Sequence, residues 1–107
     1  MEGLGDTARV DVHAEPARRE AVISLTGELD LSNVELLEAC VAPLVSDQAI
    51  VALVFDLKAL SFMDSSAIAV LLKAACSGKT VRLRNPSPLI AEVLSGMGLG
   101  EVLQVEK

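Results

Sequence analysis

The residues best suited to chemistry form one triplet, Asp64-Ser65-Ser66, where an apolar run gives way to a helical pattern. Serines opening a helix have three uses: they satisfy free amides, act as nucleophiles, or accept a phosphate. A nucleophile needs a base within reach and a group that orients the base. The one histidine, His13, falls on a separate strand pattern that reads as solvent-facing. No GxSxG turn surrounds either serine. Asp30 and Asp64 are single acids in different motifs and do not establish an acid–base pair. The glycines of GMGLG at 96–100 follow no strand and form no dinucleotide or phosphate loop. Cys40 and Cys76 sit in helical patterns without CxxC or Cys/His spacing, so they read as reduced, partly buried thiols and not as metal ligands. Nothing implies a cofactor, a metal or an enzyme.

Accepting a phosphate is the use that local chemistry favours over catalysis. At about 100° per residue, Ser65 shares a face with Ile68 and Leu72, which predicts that it leans inward. Ser66 shares a face with Ala69, Val70 and Lys73, and Lys73 needs solvent, which predicts an outward Ser66 and an apolar outer flank at Ala69 and Val70. Free first-turn amides and the positive helix end stabilise an added anion. A phosphate of about −1.5 to −2 charge would transform an adjoining interface. The plainer use, serines placed where helices begin because they suit that position, stays open on this evidence.

The elements that must position this triplet follow from periodicity. Thr7–His13 alternates, with Ala8, Val10 and Val12 on one face, as a half-exposed strand near a sheet edge. Residues 1–6 read as a frayed tail. After a polar connection containing Pro16, Ala21–Thr26 is a second strand, paired antiparallel to the first and ended by Gly27-Glu28-Leu29-Asp30. Ser32-Asn33-Val34-Glu35 fits a capping box that opens a helix running to about Val45, loosened near Pro43. The unbroken apolar run Ile50–Asp56 predicts a central strand buried on both faces. Leu57–Met63 reads as a loop folding back over the core, and Asp64 as the N-cap of a helix that stops at Gly78. Thr80–Arg84 is a further strand, Ser87-Pro88 opens a third helix, and Val102–Val105 closes the chain as a short strand. The order β-β-α-β-α-β-α-β predicts an α/β layered domain with helices over a mostly parallel sheet.

Composition narrows the partners. The chain has 107 residues, 51% hydrophobic but only 2% aromatic, and a net charge of −6. Without Trp or Tyr, stacking on nucleobases or sugars has only Phe55 and Phe62 to draw on. The acidic balance argues against direct nucleic-acid binding and against anionic membrane surfaces. The N-terminal residues lack a basic start and an apolar stretch, and no run approaches the ~20 apolar residues of a membrane span, so no membrane insertion is expected.

The segments VISLTGELDLSN (22–33), VFDL (54–57) and FMDSSAIAVLL (62–72) resemble the STAS domain. More specifically, the pairing of GELD with DSS resembles bacterial anti-sigma factor antagonists, in order and at the expected spacings over nearly the whole chain. The resemblance implies one STAS domain over residues 1–107, built as a mixed four- to five-stranded sheet with helices packed against it. It implies that the family's regulatory phosphoserine corresponds to Ser66. It further implies two partners in the cytoplasm. One is an anti-sigma factor with a GHKL-type serine kinase domain, which the unphosphorylated antagonist binds, thereby freeing the sigma factor. The other is a PP2C-type phosphatase that removes the phosphate the kinase adds. Asp30 and Asp64 match acidic positions beside the phosphoserine, and the partner-binding face is expected to include Ser65, Ala67, Ala69, Val70 and Lys73. One residue departs from the pattern: Ala67 stands where relatives usually carry glycine, and its methyl group is expected near the partner surface. Two other roles fit the same motifs: a STAS subunit of an ABC-type lipid transport complex, or a stressosome-type scaffold, which usually adds an N-terminal sensor domain.

Overall fold

The computed structural model describes residues 8–99 and 103–106. Five strands form one sheet in the order β1-β2-β3-β4-β5, with β1 (Ala8–Glu15), β2 (Glu20–Leu29), β3 (Ala52–Met63), β4 (Thr80–Arg84) and β5 (Gln104–Glu106). Strand β1 pairs antiparallel with β2; β3, β4 and β5 add in parallel. Three helices connect the parallel strands: α1 (Val34–Ser46), α2 (Ser65–Cys76) and α3 (Pro88–Gly96). Each strand–helix–strand unit steps one place in the same direction, and right-handed crossovers then set all three helices on one face. The expected element order and mixed sheet are observed. The tail at 1–6, Thr7 and Val102 lie outside the described residues.

Register shows why these strands bury what they bury. Ala21, Leu53 and Val81 are in register across β2, β3 and β4, as are Ile23, Phe55 and Leu83, and all six are buried. They form the floor on which the helices pack. The other face is polar at its surface: Arg82 on β4 reaches Glu20 on β2 (2.7 Å) and Glu106 on β5 (3.3 Å). These long side chains arch past Val54, which is fully buried between Val22 and Arg82. The central strand therefore is covered on both faces, as its unbroken apolar run requires.

Five sequence expectations change. Leu57–Met63 is the second half of β3 and not a loop, and Gly27-Glu28-Leu29 continues β2 beside it. Register shifts between Ser24 and Thr26 and between Gly27 and Glu28 interrupt the alternation that reveals a strand. At the first shift Asp56 bends the chain by accepting from the Lys58 amide at 3.1 Å. Helix α1 passes through Pro43 and continues to Ser46. Its start is not a capping box: the N-cap is Asn33, and no N-cap side chain bonds the first turn. Cys40 is half-buried as expected, but Cys76 at the end of α2 is exposed.

Candidate functional site

The extended pairing of β2 and β3 is what assembles the site. Leu29 and Met63 are register partners at the ends of two adjacent parallel strands, so Asp30 and Asp64 leave the sheet side by side. The carboxyl ends of parallel strands are where open α/β sheets present their functional groups. The Asp64 amide donates to the Leu29 carbonyl at 3.1 Å, joining the two strand ends directly.

Asp64 is the organising residue. One carboxylate oxygen accepts from the Ser66 amide (3.0 Å), the Ala67 amide (3.4 Å) and the Ser66 hydroxyl (2.5 Å). The other accepts from the Leu31 amide at 3.2 Å. It thus caps α2 as expected and also holds the turn after β2. The Ser66 hydroxyl above all, and then the amides of Ala67, Ser66 and Leu31, keep this carboxyl below its ordinary value of 3.8 despite partial desolvation. Charge-assisted donors favour the ionised form.

The turn after β2 is held by its own short-range bonds. Asp30 accepts from the Ser32 amide (2.9 Å) and hydroxyl (2.5 Å). Asn33 accepts from the Asp30 amide (2.9 Å) and donates to the Glu28 carbonyl (2.9 Å). Asx-type side chains fold a turn in this way without help from a helix. Ser32 and Asn33 spend their side chains on the turn, which is why they do not build the capping box.

The two serines are placed opposite to expectation. Ser65 is exposed, and Ser66 is half-buried. The large residues Ile68 and Leu72 suggested the inward direction, but the helix packs most closely through Ala67, Leu71 and Ala74, all buried. Small side chains let a helix approach its sheet, and centring the contact on them turns α2 by about one residue, roughly 100°. Ser66, Val70 and Lys73 then lie on the flank that faces α1. Val70 is buried there, so it adds no apolar outer flank; Ala69 and Lys73 are exposed. Ala67 is fully buried, and its methyl group meets the core instead of a partner surface.

Down this flank an open cleft of about 460 Å³ separates α1 from α2, lined by Glu38, Val41, Ala42, Val45, Val70 and Lys73 among others. Two exposed apolar residues at the corner were not expected as site residues: Leu31, 77% exposed, and Phe62, 42% exposed, which the sequence suggested would fold back over the core. Leu31 sits inside the GELDLSN motif, where an apolar residue in a polar turn was the available signal. His13 is exposed on β1, paired with Glu15 at 2.8 Å, and is not part of this corner. Among the described residues no three His, Cys, Asp or Glu side chains gather to hold a metal ion, and no helix is long and apolar enough to cross a membrane.

Comparison with known proteins places this geometry in context. A family model described as "Mlab, STAS domain" matches residues 12–105. The chain is 36% identical over 88 residues to an anti-sigma F factor antagonist of Lysinibacillus sphaericus, covering 78% of this chain and 74% of that one. It resembles the solved anti-sigma factor antagonist SpoIIAA in its unphosphorylated form, with a TM-score of 0.76 and 30% identity over 92% of this chain and 89% of that one. It also resembles the Bacillus cell fate determinant SpoIIAA in its phosphorylated form, with a TM-score of 0.69 and 31% identity over 92% of each chain. By the match over residues 12–105, the five-stranded mixed sheet and the paired turns at its carboxyl edge, this chain belongs to the STAS-domain family.

Proposed function

We propose that this chain is an anti-sigma factor antagonist that docks on an anti-sigma factor through the Asp30–Asp64 corner, and that phosphorylation of Ser66 releases it. The observation that carries the reading is the bond from the Ser66 hydroxyl to Asp64, in a chain 36% identical to an anti-sigma F factor antagonist. The hydroxyl lies at the head of α2, where the GELD and DSS turns meet.

The electrostatics supply the switch. Asp64 already satisfies the first-turn amides of α2, so a phosphate on Ser66 adds a second anion beside a carboxylate held in its charged form. The helix end cannot neutralise both. Either the phosphate displaces Asp64 from the cap or the two anions face outward together, and both change the docking surface. On this reading Ser65 and Ala69 are exposed contacts, Leu31 and Phe62 add apolar anchors, and Ala67 and Val70 support the surface from beneath.

The anti-sigma factor is the GHKL-type serine kinase that adds the phosphate, a PP2C-type phosphatase removes it, and the exchange takes place in the cytoplasm. The chain itself is a binding protein and not an enzyme. The test is to incubate it with that kinase and ATP and to map the phosphate by mass spectrometry. One phosphate on Ser66, absent from Ser66→Ala, is expected. Modification at the more exposed Ser65, or none, overturns the phosphoswitch. Ser66→Asp should bind the kinase at least about tenfold more weakly, as expected when an anion enters a docked surface.

A second reading has one observation in its favour. The matching family description carries the name Mlab, which suits a STAS subunit held permanently in an ABC-type lipid transport complex. There the α2 flank would pack on an ATPase and Ser66 would stay unmodified. Co-purification of an ABC ATPase in place of a small kinase distinguishes the two.

A further inference from the structure

The outer edge of β1 carries a pattern that the Ser66 corner does not use. We propose that this edge is a contact between two copies of this chain, pairing β1 with β1 antiparallel in the register that sets Val12 opposite Val12. The inference is independent of the switch at Ser66.

Strand β1 is the end strand of the sheet, and among the described residues no element pairs with its outer edge. Along this eight-residue strand alternate residues turn their backbone donors and acceptors outward, a template for another strand. Edges that avoid such pairing carry like charges, proline or bulges. Here the face away from the helices reads Arg9, Asp11, His13, Glu15, alternating a side chain that can donate a hydrogen bond with a carboxylate. These side chains are free to turn: the pairs Arg9–Asp11 (3.0 Å) and His13–Glu15 (2.8 Å) run along the same strand and are exposed.

A two-fold axis perpendicular to the sheet reverses the strand but keeps its faces, so residues pair only with others on the same face. Centred on Val12, it sets Arg9 against Glu15 and Asp11 against His13 of the second copy, and each contact occurs twice. Opposite charges directly across an antiparallel pair stabilise it, and like charges oppose it. Centring on Asp11 would set Asp11 against itself; centring on His13 would set Asp11 against Glu15. Only the Val12 register sets a donor side chain opposite each carboxylate on this face, Arg9 opposite Glu15 and His13 opposite Asp11.

The helix face agrees. Val12 is 45% exposed although its register partner Ile23 is buried, so the edge leaves an apolar side chain uncovered at the proposed axis. Helix α1 presents Glu38, Val41, Ala42 and Val45 to α2 across the cleft, which points its opposite flank, Leu36 and Cys40, over β1. Leu36 is 48% exposed. A second copy would cover Val12 directly and narrow the solvent around Leu36.

Sedimentation equilibrium on the wild type, Arg9→Glu and the double variant Arg9→Glu/Glu15→Arg tests this. The wild type is expected to dimerise with concentration. Arg9→Glu sets like charges at both ends of the paired strands and should weaken dimerisation about tenfold or more. The double variant reverses every end pair and should recover wild-type association, which a misfolded single variant would not. A wild type that stays monomeric up to about 1 mM overturns the proposal. So does an Arg9→Glu variant that dimerises like the wild type, or a double variant as weak as the single one.

Discussion

Helices α2 and α3 both begin with a serine close to a free helix end, yet their hydroxyls serve opposite needs. Ser87, the N-cap of α3, accepts from the Ile90 amide at 3.2 Å and thereby closes its own helix. Ser66 sits two residues past the N-cap of α2 and donates its hydroxyl to Asp64, which has taken over the capping. Modifying Ser87 would alter the very oxygen that caps α3. Modifying Ser66 would leave the atoms of the Asp64 cap chemically unchanged. The difference supports Ser66 as the proposed phosphorylation site and gives Ser87 a capping role.

The comparison breaks most severely at Asp64. Asp64→Ala removes the cap of α2 and also leaves the Leu31 amide without its partner. Helix caps are worth about 0.5–2 kcal/mol in general, and here the turn after β2 is lost along with the cap. Thermal unfolding should show a Tm lower by roughly 8 °C or more, the largest effect of any single change at either helix start. A fall no greater than that of Ser87→Ala would mean that the tie to Leu31 contributes nothing.

Ala67→Gly comes next and asks whether the departure from the family's usual glycine concerns packing or docking. Ala67 is fully buried, so glycine should cost about 1–2 kcal/mol in chemical denaturation, from helix propensity and a lost buried methyl. Affinity for the partner should be unchanged. A stability cost near zero with altered affinity would return Ala67 to the surface role that sequence alone suggested. Ser87→Ala should cost about 1 kcal/mol, a typical cap, without touching any property of the Asp64 corner.

These positions also show what the sequence made legible. The element order, the Asp64 cap, Thr80–Arg84 and the Ser87-Pro88 start were readable because each rests on a local rule: alternation, capping or proline at the first turn. The second half of β3 was not, because its bulged register breaks alternation just where β2 and β3 converge on the site. The rotation of α2 was hidden for a different reason. Hydrophobic size pointed to Ile68 and Leu72, whereas close approach to the sheet is decided by Ala67 and Ala74, whose smallness carries little weight in a pattern of apolar residues. Ser66 was singled out all the same, since both the expected and the observed rotation group it with Lys73. Ser65 was misplaced because it alone depended on which flank was taken as inward.

The smallest expected change in stability is the most informative about Ser66. Ser66→Ala keeps the Asp64 carboxylate on the amides of α2 and places a good helix former in the first turn, so stability near neutral pH should shift by no more than about 0.5 kcal/mol. Its signature is acidic. The Ser66 hydroxyl is the foremost group holding the Asp64 carboxyl below 3.8, ahead of the amides of Ala67, Ser66 and Leu31. A carboxyl depressed in the folded state contributes stability that is complete above its unfolded value and is lost as pH falls through the lower folded value. In Ser66→Ala the folded value moves back up towards 3.8, so the stabilisation is smaller and its loss begins at a higher pH. An NMR titration of the Asp64 side-chain carboxyl carbon should therefore shift to higher pH in Ser66→Ala and stay unmoved in Ser87→Ala. An Asp64 titration identical in the wild type and Ser66→Ala would mean that the hydroxyl does not rest on the carboxylate in solution, and the contrast between the two helix starts would lose its basis.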